Sequence, residues 1–265
     1  RAGKRFVAMI GFENAKDKVR MGAERRSMVM TDEEKKLTAY HEAGHAIVGL
    51  NVPQHDPIHK ATIIPRGRAL GLVLSLPERD QLSVTRTKYK SKIAMAMGGK
   101  VAEEMVFGPE NVTSGASSDI QQITKIARAM VMQFGMSDNL GNIDYANEQQ
   151  TYLGPTSPGS HLGPETQEKI DIEVRKLVDE GYATAKSILK KEKKKLDLLA
   201  NGLLEYETLT GSEITQVLSG KPLNRDLDDF DEPNDKQNKN SVTSIPKTGT
   251  TGRKKGGDLK SQPQS

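Results

Sequence analysis

The stretch LTAYHEAGHAIVGL, residues 37–50, places two histidines four positions apart, with a glutamate directly after the first. It follows Thr31-Asp-Glu-Glu34, a capping box that is typical of a helix N-terminus. We therefore predict a helix from residue 31 to about residue 49. Because residues four apart lie one above the other on a helix, His41 and His45 are candidate ligands of one tetrahedral zinc ion.

A second histidine pair, His55 and His59, has the same spacing but a different backbone. Pro53 and Pro57 interrupt this segment, and a proline removes a helical hydrogen bond and clashes with the preceding turn. The residue before a proline, here Asp56, is also disfavoured in helical geometry. We interpret both histidines as ordinary loop residues.

The remaining pattern predicts a mainly α fold with a small β hairpin or sheet. Apolar periodicity predicts helices over residues 86–107 and 118–134, a long amphipathic pattern over 165–194, and a last helix that begins at a second capping box, Thr210 to Glu213. The single β signal covers residues 61–77. Residues 222–265 lack apolar periodicity, and we predict a disordered tail there.

Composition excludes several classes of protein. The 265 residues contain no cysteine, which rules out disulfides and thiolate metal sites. The 39 basic and 35 acidic residues are interspersed, without a basic stripe carrying aromatic residues, so we expect no nucleic acid partner. No apolar run approaches the roughly 20 residues that cross a bilayer, and we expect the chain as given to be soluble.

The histidine pair with its neighbouring glutamate is typical of a hydrolytic metal centre. A zinc ion with three protein ligands leaves one position for water, and it lowers the pKa of that water from 15.7 to about 7. Glu42 would take a proton from the water and return it to the leaving amine. This chemistry predicts hydrolysis of a peptide bond without a covalent intermediate.

The third zinc ligand is open at this point. The residue six positions after the second histidine is Asn51, so a third histidine of that known spacing is absent. His161 lies in a loop rich in glycine and proline, which holds a ligand poorly. Glu103 and Glu104 lie within the helix predicted over 86–107, and Asp119 falls in the first turn of the next helix. Spacing alone does not choose among these carboxylates.

A different class of function is a non-catalytic assembly module whose zinc joins helices, with residues 165–218 in subunit contacts. A structural zinc site is closed by a fourth protein ligand, and it has no use for a base such as Glu42.

The β segment at residues 70–77 suggests a further element of an enzyme. An edge strand there could pair with an extended peptide through main-chain hydrogen bonds, which read little side-chain identity.

Four stretches resemble the protease domain of the FtsH family of membrane-anchored, ATP-dependent zinc metalloproteases. They are MGAERRSMVMTDEEKKLTAYHEAGHAIVG (21–49), HDPIHKATIIPRGRALG (55–71), GGKVAEEMVFGPENVTSGASSDI (98–120) and YETLTGSEI (206–214). The resemblance runs over residues 6–218. It implies one zinc per chain with His41, His45 and Asp119 as ligands and Glu42 as catalytic base, which favours Asp119 over Glu103 and Glu104.

The resemblance also implies a domain organisation and partners. Residues 1–27 resemble the C-terminal end of an AAA+ ATPase module, 28–221 the zinc metalloprotease domain. No GxxxxGK[ST] motif is present, so ATP would act only through an ATPase module outside this chain. The family implies homo-hexamers, an N-terminal membrane anchor, and unfolded or misassembled protein substrates in protein quality control and regulated proteolysis. It implies the cytoplasmic face of the bacterial inner membrane, or alternatively an organellar inner membrane.

Overall fold

The computed structural model describes residues 9–25, 28–67, 69–77, 79–146, 150–151, 154–155 and 162–223. His161 and almost all of the predicted tail at 222–265 lie outside the described residues. Within the described ranges the chain is mainly helical with a small antiparallel sheet, which confirms the predicted fold class. None of the described helices has the length and apolar character needed to cross a membrane.

The helices follow the predicted order along the chain. They are α1 (Met9–Met21), α2 (Asp32–Asn51), α3 (Arg86–Phe107), α4 (Ser117–Met132), α5 (Pro164–Lys191), α6 (Lys193–Tyr206) and α7 (Gly211–Leu218). The strands are β1 (Ile58–Thr62), β2 (Leu72–Ser75), β3 (Gln150–Thr151), β4 (Gly154–Pro155) and β5 (Thr208–Thr210). Two short 3₁₀ helices, Pro109–Asn111 and Ser114–Ala116, precede α4.

Helix α2 begins where its capping box predicts. The Thr31 side chain accepts a hydrogen bond from the Glu34 amide, and the Glu34 carboxylate accepts one from the Thr31 amide. These reciprocal bonds satisfy two of the N–H groups that a helix start leaves without partners. The helix ends at Asn51, because Val52 is extended and Pro53 follows it.

The sheet has the strand order β2-β1-β5, with both pairings antiparallel. The hairpin of β1 and β2 confirms the β signal at residues 61–77, whereas the three-residue strand β5 was not predicted. Strand β2 lies at one edge of this sheet. His59 lies within β1, so its prediction as a loop residue was wrong. Pro57 disfavours a helix there, but it lies just before β1, where its missing N–H does not interrupt the pairing of the strand.

Helices α2 and α3 pack closely against each other in the core. Gly44 and Gly98 face each other there, and a Cβ on either residue would collide with the backbone of the other. Two glycines therefore let the helix backbones approach far more closely than ordinary side chains allow. Helix α3 also packs on α4 and α5, and α2 packs on α6. This packing buries large apolar side chains, including Ile47, Ile93, Ile123, Met130, Leu189 and Leu199.

The described N-terminal residues contact the hairpin. Lys60 of β1 forms an ion pair with Asp17 of α1, and Arg66, just after β1, pairs with Glu24 at 2.6 Å. The resemblance of residues 1–27 to the end of an ATPase module stays a prediction.

Candidate metal centre

Three potential ligand atoms from two helices meet at one point. His41 and His45 lie on consecutive turns of α2, and Asp119 lies in the first turn of α4. The two Nε2 atoms are 3.0 Å apart, and Oδ2 of Asp119 lies 3.2 Å from Nε2 of His41 and 3.5 Å from Nε2 of His45. Tetrahedral zinc with bonds of about 2.0–2.2 Å separates its ligand atoms by roughly 3.3–3.6 Å. One of the three observed distances lies in this range and the other two are shorter by a few tenths of an ångström, so small side-chain movements would let the three atoms hold one tetrahedral ion.

The other nitrogen of each imidazole is held by an acceptor. His41 Nδ1 lies 2.6 Å from Oε1 of Glu103, and His45 Nδ1 lies 2.9 Å from the carbonyl oxygen of Met95. A carboxylate and a carbonyl accept hydrogen bonds, so both Nδ1 atoms carry the proton. With a cation bound between them and Asp119, both Nε2 atoms would direct their lone pairs to that cation, as a metal site requires.

The carboxylates that spacing left open occupy different positions. Asp119 lies beside both Nε2 atoms, whereas Glu103 is fully buried behind His41. Glu104 bonds to the hydroxyl of Tyr182, away from the cluster. Among the residues that the structure describes, no fourth His, Cys, Asp or Glu joins the group of three. A protein-closed structural zinc site would need such a ligand.

Gly99 of α3 forms one wall of the site. A Cβ on Gly99 would lie 2.5 Å from Nε2 of His41 and 2.6 Å from Nε2 of His45, far inside van der Waals contact. The missing side chain therefore makes room for the two imidazoles. Sequence analysis did not single out Gly99, although two adjacent glycines within a predicted helix are a signal of close approach.

Glu42 is buried next to the sheet. Its side chain is 5% exposed, and a Cβ on Gly71 would lie 2.6 Å from its Oε1 atom. Gly71 directly precedes β2, so the start of the edge strand lies against this carboxyl group. Burial raises the pKa of Glu42 above its ordinary value, against the opposing effect of His45 and His41. A glutamate in such surroundings accepts a proton more readily than one in water.

The electrostatics of the cluster favour a cation. Burial opposes protonation of His41, but hydrogen bonds to Asp119 and Glu103 outweigh it and raise the pKa of His41 to about 10. Burial likewise opposes ionisation of Asp119, yet hydrogen bonds from His41 and His45 hold its pKa well below the ordinary range. The carboxylates around the imidazoles therefore attract positive charge to this point.

The other histidine pair does not form a second cluster. His55 lies in the loop after α2, where its Nδ1 atom is 2.7 Å from the carbonyl oxygen of Asp56. His59 lies in β1. Neither belongs to a metal-binding group among the residues described by the structure. The prediction that the prolines keep this pair off a helix agrees with the loop and the strand in which the two histidines lie.

A sequence profile of peptidase family M41 matches residues 28–217. The chain belongs to this family. This M41 chain is 54% identical over 228 residues to the ATP-dependent zinc metalloprotease FtsH of Caulobacter vibrioides, covering 85% of this chain and 36% of that protein. It is 53% identical over 223 residues to the Rickettsia bellii protein of the same name, covering 84% of this chain and 35% of that protein.

The protein of the same name from Haemophilus influenzae is 47% identical over 225 residues, covering 84% of this M41 chain and 35% of that protein. These matches confirm the resemblance to the FtsH protease domain. The M41 chain spans only about a third of the length of these curated relatives.

Proposed function

We propose that this M41 chain is a zinc-dependent endopeptidase that hydrolyses unfolded proteins, with His41, His45 and Asp119 as zinc ligands. The spacing of the three ligand atoms, 3.0–3.5 Å, is the observation that carries this assignment. The names of the relatives, which are zinc metalloproteases, support the choice of metal.

A zinc ion in this site would activate a water molecule at neutral pH and polarise the substrate carbonyl. Glu42 removes a proton from the attacking water as the new C–O bond forms. The same carboxyl group then delivers that proton to the leaving nitrogen as the C–N bond breaks. Burial of Glu42 supports this role, because its raised pKa brings its proton affinity closer to that of the groups it serves.

Strand β2 is the proposed docking site for substrate. It pairs with β1 on one side, and Gly71 at its start lies against Glu42. An extended peptide that paired with the other side of β2 would carry its amide groups past the base. Main-chain hydrogen bonds would then supply most of the affinity, with little dependence on substrate sequence.

The alternative of a non-catalytic, zinc-stapled assembly module has less support. A fourth protein ligand is not found in the cluster within the described ranges. The buried carboxyl group of Glu42 would also cost free energy in a module that has no need of a base.

The wider assembly is proposed from the relatives alone. We propose that residues 1–27 end an AAA+ ATPase module and that residues 28–221 form the protease domain. The full protein would act as an ATP-dependent homo-hexamer on unfolded or misassembled proteins, anchored at the cytoplasmic face of a bacterial inner membrane or at an organellar inner membrane. The names of the relatives, ATP-dependent zinc metalloproteases, support ATP dependence, and the match to about a third of each relative supports a longer protein.

The decisive experiment measures hydrolysis of an unstructured protein by the zinc-loaded chain and by its Glu42→Gln variant. We expect the variant to keep its zinc and to lose about 10²–10⁴-fold in kcat, the contribution of a positioned acid–base group. Zinc content by atomic absorption is the control for an intact site. Equal rates for the two proteins would contradict the mechanism, and absence of bound zinc in the wild type would contradict the metal assignment.

A further inference from the structure

Glu103 connects two separate parts of the candidate metal centre. Its Oε1 atom lies 2.6 Å from Nδ1 of His41, while its Oε2 atom accepts hydrogen bonds from Thr113, at 2.9 Å from the amide and 3.2 Å from Oγ1. The side chain of Glu103 is fully buried. Since a buried carboxylate without partners is costly, Glu103 is satisfied only when both His41 and Thr113 are in place.

Thr113 stands at the start of the segment that leads to Asp119. Its Oγ1 atom donates to Glu103 and also accepts a hydrogen bond from the Gly115 amide at 3.2 Å, so the hydroxyl is held from both sides. This bond caps the 3₁₀ helix Ser114–Ala116, which runs directly into α4.

Helix α4 has no side-chain cap of its own, because Ala116 occupies the N-cap position. The position of its first turn therefore depends on the segment before it. A shift of that segment would move Asp119, which lies in this first turn. Among the described residues, the hydrogen bonds from Thr113 are the ones that join this segment to Glu103.

We infer that Thr113 is a positioning residue for the ligand Asp119, and that Glu103 couples Thr113 to His41. In this arrangement the buried carboxylate of Glu103 sets the orientation of the His41 imidazole. Through Thr113 it also sets the position of the Asp119 carboxylate. This inference rests on the proposed metal site and adds to it a residue that does not touch the metal. It predicts that loss of the Thr113 hydroxyl weakens metal binding although all three ligands remain.

The test compares zinc affinity, by competition with a chelator, for the wild-type chain and four variants. We expect Thr113→Val to weaken zinc binding about 3–10-fold, the effect of one or two lost hydrogen bonds. Thr113→Ser should restore wild-type affinity, because it keeps the hydroxyl. We expect Glu103→Gln to weaken binding about 10–100-fold, as is usual for a group that orients a ligand. The double variant, Thr113→Val with Glu103→Gln, should bind zinc no more weakly than Glu103→Gln alone, because Thr113 acts through Glu103.

Cobalt substitution gives a readout that a general loss of stability would not move. The visible absorption of bound Co²⁺ should change in Thr113→Val and return to the wild-type spectrum in Thr113→Ser. Thr124→Val is the matched control, since the Thr124 hydroxyl bonds only to the Ile120 carbonyl of its own helix, α4. It should leave both the affinity and the spectrum unchanged.

A measurement on the metal-free chain separates this inference from the proposed function. Glu103→Gln should speed amide hydrogen exchange at Thr113 and through residues 114–119, because the Thr113 amide donates to Glu103. Unchanged exchange, an unchanged cobalt spectrum in Thr113→Val, or additive losses in the double variant would each overturn the inference. Failure of the wild type to bind zinc would instead overturn the proposed function.

Discussion

His41 contacts two carboxylates with its two ring nitrogens: Nδ1 lies 2.6 Å from Glu103, and Nε2 lies 3.2 Å from Asp119. Glu103 is suited to fix the tautomer and orientation of the ring, while Asp119 is suited to share a cation with it. We therefore propose separate functions for the two acidic residues, although each lies within hydrogen-bond distance of the same imidazole.

The separate roles of Glu103 and Asp119 predict that their substitution lowers zinc affinity to different extents. Asp119→Asn removes a ligand charge and should cause the largest loss, beyond the 10–100-fold range expected for Glu103→Gln. Glu104→Gln is the matched control, because Glu104 is the next residue along α3 but bonds to Tyr182. It should leave zinc affinity unchanged. Isothermal titration of each metal-free variant measures the order, and a larger loss in Glu104→Gln than in Asp119→Asn would contradict the site.

Gly99→Ala should disrupt the metal centre sterically. The new methyl group would lie about 2.5 Å from His41, so the imidazoles or α3 must move. We expect zinc affinity to fall at least tenfold and the unfolding free energy to fall by about 1–3 kcal/mol, the usual cost of overpacking. Chelator competition and thermal unfolding measure these two effects.

Gly11→Ala is the control for that substitution. Gly11 also lies in a helix, α1, but a Cβ there would meet nothing within 4 Å. Alanine should therefore be neutral or stabilise the chain by up to about 1 kcal/mol, with no change in zinc affinity. Similar zinc affinities for the two alanine variants would show that Gly99 is not needed for space.

The proposed pairing of substrate with β2 predicts a dependence on main-chain amides. Methylating two alternate amides of a peptide substrate on the side that faces β2 should raise KM about tenfold, since two hydrogen bonds are lost. Methylating the intervening amides, which point away from β2, should change KM little. Steady-state kinetics on the two isomeric peptides measures the difference. Equal KM values would mean that β2 does not pair with substrate.

Asp56 should stabilise the chain in a pH-dependent way. Burial opposes its ionisation, but hydrogen bonds from Lys88 at 2.5 Å and Gln81 at 2.6 Å outweigh it and lower its pKa. The carboxylate is therefore favoured in the folded state, and its contribution is present above the unfolded pKa of about 3.8. That contribution is lost as the pH falls through the lower folded pKa.

We expect Asp56→Asn to reduce the unfolding free energy by about 1–2 kcal/mol at pH 7, and by progressively less below pH 4. Urea unfolding at several pH values measures this difference. Asp138→Asn is the control: Asp138 also pairs with a cation, Arg86, but its side chain is 88% exposed and solvent screens the pair. If Asp56→Asn lowered the unfolding free energy by the same amount at every pH, the stabilisation would not come from the ionised carboxylate of Asp56.

Local chemistry was sufficient to predict helix α2 and the histidine pair on it. The capping box, the i, i+4 spacing and the prolines near His55 act within a few residues, so they can be read without a fold. The hairpin of β1 and β2 was predictable for the same reason. Strand β5 was not, because its three residues extend a sheet whose partner strand, β1, lies far away in the sequence.

The rest of the site depends on tertiary packing. Three carboxylates, Glu103, Glu104 and Asp119, were compatible with the spacing, and only the packing of α3 on α2 and of α4 on α3 separates their positions. The resemblance to a known family favoured Asp119, but it said nothing of Thr113 or of Gly99. Their importance lies in which atoms they approach across the fold, and no local pattern contains that information.

The separation of His41 and Asp119 by 78 residues has a consequence for folding. His41 and His45 come together within one helix, but Asp119 reaches them only when α3 packs on α2 and α4 packs on α3. Closure of such a long loop costs more conformational entropy than a contact within one helix. The proposed ligand set is thus complete only in the finished tertiary structure, and the proposed hydrolytic activity would require that structure.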